Sequence, residues 1–103
     1  MFAVIYKWKI KPGSEEAFRK AWAERTLEIK KAYGGLGSRL HKSEEDSYIA
    51  YAQWPSKEAW SGNVGKKESP SQASKVMKEA TLDFEILHTL DVLEDLLEHQ
   101  QSY

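Results

Sequence analysis

Alternation of apolar and polar positions along the chain predicts four β-strands. On the first, over residues 2–10, every second side chain is apolar, while Lys7 and Lys9 lie on the opposite face. The other predicted strands cover residues 36–43, 47–54 and 84–93. A short polar stretch at 44–46 joins the second strand to the third, which is typical of an antiparallel hairpin.

Apolar residues spaced three to four positions apart predict two main helices. The first covers residues 14–32, with Ser14 as its N-terminal cap and Gly34-Gly35 after its last turn. The remaining segments are a short helix over residues 56–60, a surface loop over 61–70 and a second main helix over 71–81. Residues 91–99 fit either the end of the last strand or a further helix.

The predicted order of elements is β-α-β-β-α-β, which is the split βαβ pattern. It defines an α+β fold of ferredoxin-like architecture, in which both helices cover one face of an antiparallel four-stranded sheet. A length of 103 residues suits one domain. We therefore expect residues 1–103 to form a single domain with a frayed polar tail at about residues 99–103.

The second face of this sheet has no helix to cover it, yet the strands are apolar on both faces. Ile5 and Val4 lie on opposite faces of the first strand, and Ile49 and Tyr51 alternate with alanines on the third. A sheet that is apolar on both sides needs two covers, and an uncovered apolar patch marks an interface. Because two-fold dimers are the commonest assemblies, we predict a homodimer through the bare sheet face.

Composition and charge narrow the range of partners. The net charge is −1, from 15 basic and 16 acidic residues, and no block of five like charges occurs. A nucleic acid or an anionic membrane surface would select a basic stripe, so neither is expected as a partner. The longest unbroken apolar run covers residues 1–6, which is too short for a signal peptide or a membrane span. A cytoplasmic location is therefore predicted.

Metal ligands are sparse in the sequence. The chain has no cysteine, and its three histidines stand far apart at positions 41, 88 and 99. This spacing matches no known metal motif, and no glycine-rich phosphate loop opens a helix. We therefore predict that the protein has no metal site.

Two groups of residues could carry chemistry, and the first is aromatic. Trp54 ends the third strand and Trp60 lies on the short helix after it. Their indole N–H groups could donate hydrogen bonds to a small aromatic ligand, in a pocket that also uses Tyr6 and Trp22. The alternative is that all four are packing residues of the core.

The second group is Arg39 and His41, which share one face of the second strand. They would supply a cation and a titratable base to an aromatic cavity, and a histidine can deprotonate a phenol near neutral pH. The alternative is that Arg39 forms a salt bridge and His41 lies on a rim. His88 on the last strand has the same ambiguity, as a ligand contact or as a core or interface residue.

Several short motifs occur in a fixed order along the chain. They are Lys11-Pro12-Gly13 after the first strand, Glu16-Ala17-Phe18 in the helix, a Gly-rich turn, and Trp54 before Ser56-Lys57-Glu58-Ala59-Trp60. Over nearly the whole chain this order resembles the antibiotic biosynthesis monooxygenase domain family. The resemblance implies the ferredoxin-like fold and a dimeric α/β barrel. It also implies catalysis without a cofactor, because characterised members include oxygenases that oxidise polyphenolic substrates without metal, flavin or haem.

The resemblance further implies where a site would lie. Trp54 matches the recurrent Trp of the family at the end of the third strand, and Asn63 stands near a place where members often have a histidine. Haem-degrading members are similar to one another in an Asn on the first strand and a His on the second main helix. This chain has neither residue, so haem degradation is not expected.

Two functions follow as hypotheses. In the first, the protein is a monooxygenase-like enzyme without a cofactor that acts on a small aromatic or quinol-type compound. Trp54, Trp60 and Asn63 would then shape the pocket. Arg39 or His41 would hold an oxyanion or accept a proton. In the second, the protein is a non-catalytic dimeric module that binds a small ligand or serves as a scaffold.

Overall fold

The computed structural model contains four strands and three helices among the residues it describes, which are 1–43, 47–62 and 71–98. The elements are β1 (Phe2–Ile10), α1 (Glu15–Tyr33), β2 (Gly37–Lys42), β3 (Ser47–Trp54), α2 (Lys57–Ser61), α3 (Gln72–Ala80) and β4 (Thr81–Asp91). The predicted turn at 44–46, residues 63–70 of the predicted loop and the tail at 99–103 lie outside the described residues. Among the described helices, none combines the length and the hydropathy that a membrane crossing needs.

The four described strands pair antiparallel in the order β2-β3-β1-β4. Tyr48, Ala50, Ala52 and Trp54 of β3 are buried, and the side chains between them are half-buried. The buried set faces the helices, because Tyr48 and Ala50 share an apolar cluster with Phe18 of α1 and Ala80 of α3. The predicted α+β ferredoxin-like fold is confirmed.

α1 is closed by glycine at its end but has no side-chain cap at its start. Ser14 takes the N-cap position with φ −105° and ψ 6°, outside the extended region typical of a capping side chain. The predicted Ser14 cap is therefore wrong, and the Glu15 carboxylate instead accepts a hydrogen bond from the Gly13 N–H at 2.8 Å. Gly34 has a left-handed conformation (φ 75°), as its place after the last turn predicts.

β4 begins at Thr81 and not at the predicted residue 84, so it follows α3 without a loop. Thr81 is extended, its hydroxyl donates to the Met77 carbonyl at 2.6 Å, and it pairs with Ile10 of β1. The helical spacing of apolar residues continues up to Thr81. Only the pairing of Thr81 with β1 decides where α3 ends and β4 begins. Both predictions for the chain end are wrong in part, because β4 ends at Asp91 and not at residue 93, and residues 92–98, the described part of the alternative helix beyond β4, have no regular structure.

Two apolar clusters fill the space between the helices and the sheet. One contains Trp8, Ile10, Phe18, Tyr48, Ala50 and Ala80, and the other contains Phe2, Val4 and Trp54. Phe18 anchors α1, since it is fully buried and its ring centroid lies 5.4 Å from that of Trp8 and 5.6 Å from that of Tyr48. Tyr6 packs against both clusters, and the space beside it is not filled by side chains.

Candidate functional site

A cavity of about 130 Å³ lies between the helix layer and the sheet. Its apolar walls come from five elements: Tyr6 and Trp8 of β1, Trp22 and Ile29 of α1, Ala52 and Trp54 of β3, Met77 of α3, and Phe84 of β4. Arg25 and Lys30 of α1 also line it. A mostly apolar concave site with a few polar groups is the usual form of a small-molecule site.

Two aromatic side chains bring hydrogen-bonding groups to the sheet side of this cavity. Trp60 Nε1 donates to the Tyr6 hydroxyl oxygen at 3.0 Å, so the Tyr6 proton must point in another direction. Trp54 is 6% exposed, and its buried Nε1 lies close enough to the Tyr6 oxygen to affect the pKa of Tyr6, although it forms no hydrogen bond with any described residue. A buried donor without a partner costs about 1–3 kcal/mol. Because Nε1 has almost no surface exposed to the cavity, a ligand oxygen would have to displace neighbouring atoms to accept from it.

Burial raises the pKa of Tyr6 above its ordinary value of 10.0. The main cause is the loss of water around the phenolate. The indole N–H groups of Trp60 and Trp54 act in the opposite direction, because they favour the charged form, but they do not cancel the effect of burial. Tyr6 therefore stays a neutral phenol at physiological pH and keeps a proton to donate.

We expect an ultraviolet titration of the five tyrosines to show a late step that belongs to Tyr6. Tyr6→Phe should remove that step, and Trp60→Phe should move it to higher pH by removing an N–H that favours the phenolate. Because the folded pKa lies above the unfolded value of 10.0, neutral Tyr6 stabilises the fold below pH 10.0, and this contribution is lost as pH rises through the folded pKa. A late step that persists in Tyr6→Phe would contradict the assignment.

A polar network holds the α1 wall of the cavity in place. Arg25 Nη1 donates to Glu28 Oε1 at 3.2 Å, and the same oxygen accepts from the Ser71 hydroxyl at 2.8 Å. The Ser71 oxygen in turn accepts from Ser74 N at the start of α3. These contacts join α1 to α3 and fix the position of Arg25. Lys30 forms no ion pair with any described residue.

Three of the residues predicted for the pocket, Tyr6, Trp22 and Trp54, line the cavity. Trp60 lies behind Tyr6 as its hydrogen-bond donor, with its ring centroid 5.7 Å from that of Phe2. Asn63 lies outside the described residues. The structure thus brings the predicted aromatic side chains together, while their roles in binding stay predictions.

Arg39, His41 and His88 lie away from the cavity, and all three are exposed. The register of β2 places Arg39 and His41 on the face without helices, whereas Trp54 points under the helices. His41 Nδ1 lies 3.0 Å from the Ile49 carbonyl oxygen. The predicted placement of Arg39 or His41 beside Trp54 is therefore not formed in the described chain, because strand alternation separates them. Their roles in chemistry stay predictions without support from this geometry.

The cations of the cavity wall were missed at the sequence level, although a signal for them exists. Trp22, Arg25, Thr26, Ile29 and Lys30 all line the cavity. Relative to Trp22 they stand at i+3, i+4, i+7 and i+8, which is one face of a helix. Helical spacing from Trp22 would therefore have found them.

Comparison with known proteins places the chain in a family. A family model described as "Antibiotic biosynthesis monooxygenase" matches residues 1–65, which is more than half of the chain. The chain therefore belongs to the antibiotic biosynthesis monooxygenase family. The matched part contains Tyr6, Trp54 and Trp60. No curated protein matches the sequence.

Solved structures share the fold at low sequence identity. A Bordetella bronchiseptica protein, provisionally assigned as an antibiotic biosynthesis monooxygenase, has a TM-score of 0.75 at 19% identity, covering 90% of this chain and 97% of its own. SnoaB, a cofactor-independent oxygenase from Streptomyces nogalater, has a TM-score of 0.72 at 15% identity, covering 94% and 97%. A Deinococcus radiodurans protein with the same provisional assignment has a TM-score of 0.72 at 12% identity, covering 97% and 100%. At these identities the likeness shows the fold alone.

Proposed function

We propose that this protein is a monooxygenase-like enzyme that oxidises a small aromatic or quinol-type compound without a bound cofactor. The observation that carries the proposal is the cavity of about 130 Å³, in which a buried, unpaired Trp54 N–H lies in the same aromatic cluster as Tyr6. Family membership supports this activity, and so does the similarity to SnoaB, which is a cofactor-independent oxygenase.

Some residues of the cavity would pack against the substrate, and others would form hydrogen bonds with it. The rings of Trp22 and Phe84 and the Met77 thioether would hold an aromatic substrate and exclude water. The Trp54 N–H and the Tyr6 O–H would donate to one substrate oxygen. As the substrate becomes a carbanion, negative charge moves onto that oxygen, and fixed donors in an apolar site stabilise it.

Without a cofactor, all electrons for oxygen reduction come from the substrate. An activated CH₂ group of the substrate reacts with O₂ to give a carbonyl group and water. One oxygen atom becomes the carbonyl oxygen, and the other leaves as water with the two hydrogens of the CH₂ group. In this scheme the protein positions the substrate and stabilises its charge.

The cavity does not fit haem, which some family members degrade. Its volume of about 130 Å³ is below the ~150 Å³ of an engineered cavity that accepts benzene. A four-pyrrole macrocycle is several times larger than one such ring. Among the described residues, no group of three or more His, Cys, Asp or Glu side chains is placed to hold a metal ion.

We also propose that residues 1–103 form one domain and that two copies pair through the helix-free sheet face. The family model ends at residue 65, yet β4 pairs with β1 from Phe2 to Ile10, which makes it part of the same sheet. On the helix-free face Ile5, Ile49 and Tyr51 are only half-buried, so a second copy would cover them. The cytoplasmic location stays a prediction from the sequence.

The second candidate function is a non-catalytic dimeric module that binds a small ligand or serves as a scaffold. One observation favours it: among the described residues that line the cavity, none is a carboxylate or a histidine. Such a site could hold an aromatic molecule without having a group that removes its proton.

Oxygen consumption distinguishes the two functions. Chelator-treated protein is mixed with single-ring hydroquinones and phenols that carry an activated CH₂ group, and uptake is followed with an oxygen electrode. We expect uptake above the spontaneous rate, with isotopically labelled oxygen appearing in the product carbonyl. Ala52→Leu should abolish it by filling the cavity, whereas Leu27→Ala on the exposed side of α1 should not. Uptake equal to that of buffer for every substrate would reject the oxygenase in favour of the binding module.

A further inference from the structure

The charged side chains that line the cavity all carry the same sign of charge. On the sheet side Trp54 Nε1 is a buried donor and the Tyr6 hydroxyl belongs to a half-buried side chain, and on the α1 side Arg25 is half-buried and Lys30 is exposed. The other elements contribute Ser38 of β2, Gln53 of β3, Met77 of α3 and Phe84 of β4, none of which ionises, and the Gln53 amide donates to the Tyr51 hydroxyl. Every charged side chain that the described residues offer to a ligand is therefore a cation.

A general base is missing from the same set of residues. Glu28 is the carboxylate that pairs with Arg25, but it is not among the lining residues, and its Oε1 already accepts from Arg25 and Ser71. The hydroxyls of Thr26 and Ser38 border the cavity, but a neutral hydroxyl is a poor proton acceptor at neutral pH. The described site can stabilise an anion but has no side chain suited to create one.

The size of the cavity restricts the ring system. An engineered apolar cavity of ~150 Å³ binds benzene, and this cavity measures about 130 Å³. One six-membered ring therefore fills it. Fused rings would have to extend beyond this volume.

We infer that the substrate is a single-ring phenol or enol acidic enough to enter the site as its anion, and that Lys30 and Arg25 select the ionised form. The inference deepens the proposed function and rests on it in one respect: the bound anion is a substrate only if the protein is an oxygenase. The proton is lost to solvent before binding. The Trp54 N–H and the Tyr6 O–H then hold the anionic oxygen, and the bound anion is the electron donor for O₂.

Lys30 is the selective cation that can be tested separately. Arg25 shares its charge with Glu28 at 3.2 Å, whereas Lys30 has no ion-pair partner among the described residues. Its stem also packs near the Gly37 turn, so Lys30→Met keeps the apolar wall and removes the charge. Lys31 is the matched control, because it occupies the same last turn of α1 but does not line the cavity.

The test measures binding without turnover, using para-nitrophenol and its methyl ether, para-nitroanisole, which cannot ionise. Binding is followed by tryptophan fluorescence quenching and by the absorbance of the nitrophenolate at several pH values. We expect the affinity for nitrophenol to rise about tenfold as the ligand ionises, and the affinity for the ether to stay flat. Lys30→Met should remove most of this rise, and Lys31→Met should keep it. A naphthol with two fused rings should bind more weakly than the single-ring phenol.

Three results would overturn the inference: equal affinity for nitrophenol and its ether at all pH values, an unchanged preference in Lys30→Met, or tighter binding of the fused-ring naphthol. These results are independent of the oxygenase activity. A protein that binds nitrophenolate but consumes no oxygen with any substrate keeps this inference for its ligand and loses the proposed oxygenase function. A protein that consumes oxygen but prefers neutral ligands keeps the proposed oxygenase function and loses this inference.

Discussion

Trp54→Phe is expected to lower kcat/KM for an oxidisable aromatic substrate by about a hundredfold, because removing one fixed donor to a developing oxyanion costs about 10²–10³ in rate. The substitution keeps an aromatic ring between Phe2 and Val4 and removes the buried Nε1–H that has no other partner among the described residues. The loss is read in kcat/KM, because the donor holds the substrate oxygen that carries the negative charge. Oxygen-electrode kinetics over a range of substrate concentrations measure both parameters.

The comparison variant for this experiment is Trp22→Phe. Trp22 lines the same cavity from α1, so it tests the loss of indole area without the loss of the Trp54 donor. A clearly smaller effect, seen mostly in KM, is expected. Thermal unfolding of both variants checks that the core is intact. Equal losses in the two variants would show that Trp54 acts by packing, and the role assigned to its N–H would then be wrong.

Light scattering is expected to give twice the 11.8 kDa of one chain for the protein, and the mass of one chain for Ile5→Lys. Ile5 lies on the central strand β1, on the helix-free face, between Tyr51 of β3 and His88 of β4. A dimer through this face would bury the new ammonium without a partner, and an unpaired buried charge is strongly destabilising. In the monomer the same ammonium would remain in water.

Leu27→Lys is the matched control for the dimer experiment. It adds the same charge at a leucine that is 63% exposed on α1, away from the sheet, so the dimer should persist. A mass of one chain for the unmodified protein would reject the pairing proposal. A dimer that survives Ile5→Lys would move the interface to another apolar surface, such as Leu93 and Leu96, which are 90% and 93% exposed.

Charged side chains of both signs lie on the helix-free face. Arg39 and His41 lie along its β2 edge, and Asp83 and Glu85 of the β4 edge lie opposite Lys9 and Lys7 of β1 in the same sheet. A two-fold axis parallel to the strands would place the β2 edge of one copy over the β4 edge of the other. In a dimer of this kind Arg39 and His41 would be interface residues.

Most of the fold could be predicted from local patterns. The alternation over β1 and β3 and the helical spacing of α1 are properties of short segments, and the structure has these elements within a residue of the predicted bounds. The start of β4 could not be predicted this way. Thr81 follows a helix directly, and its extended state depends on pairing with Ile10, which is far away in the chain.

The candidate site was predictable in its aromatic part and not in its charged part. Trp54 and Tyr6 fall on inward faces that the strand pattern already defines. Arg39 and His41 were placed beside them because their strand is next to β3 along the chain. Which face of β2 joins which face of β3 depends on the hairpin register, and a shift of one residue exchanges the two faces.

The sequence by itself determined the family, the β-α-β-β-α-β order and the aromatic character of the interior, because alternation, spacing and short motifs are local properties of the chain. Only the tertiary structure decided which side chains meet. It unites Trp54 with Tyr6 and with the cations of α1, and it separates them from Arg39 and His41. The physical reason is that packing and strand register join residues distant in the chain, and these contacts alone decide whether a buried N–H finds an acceptor.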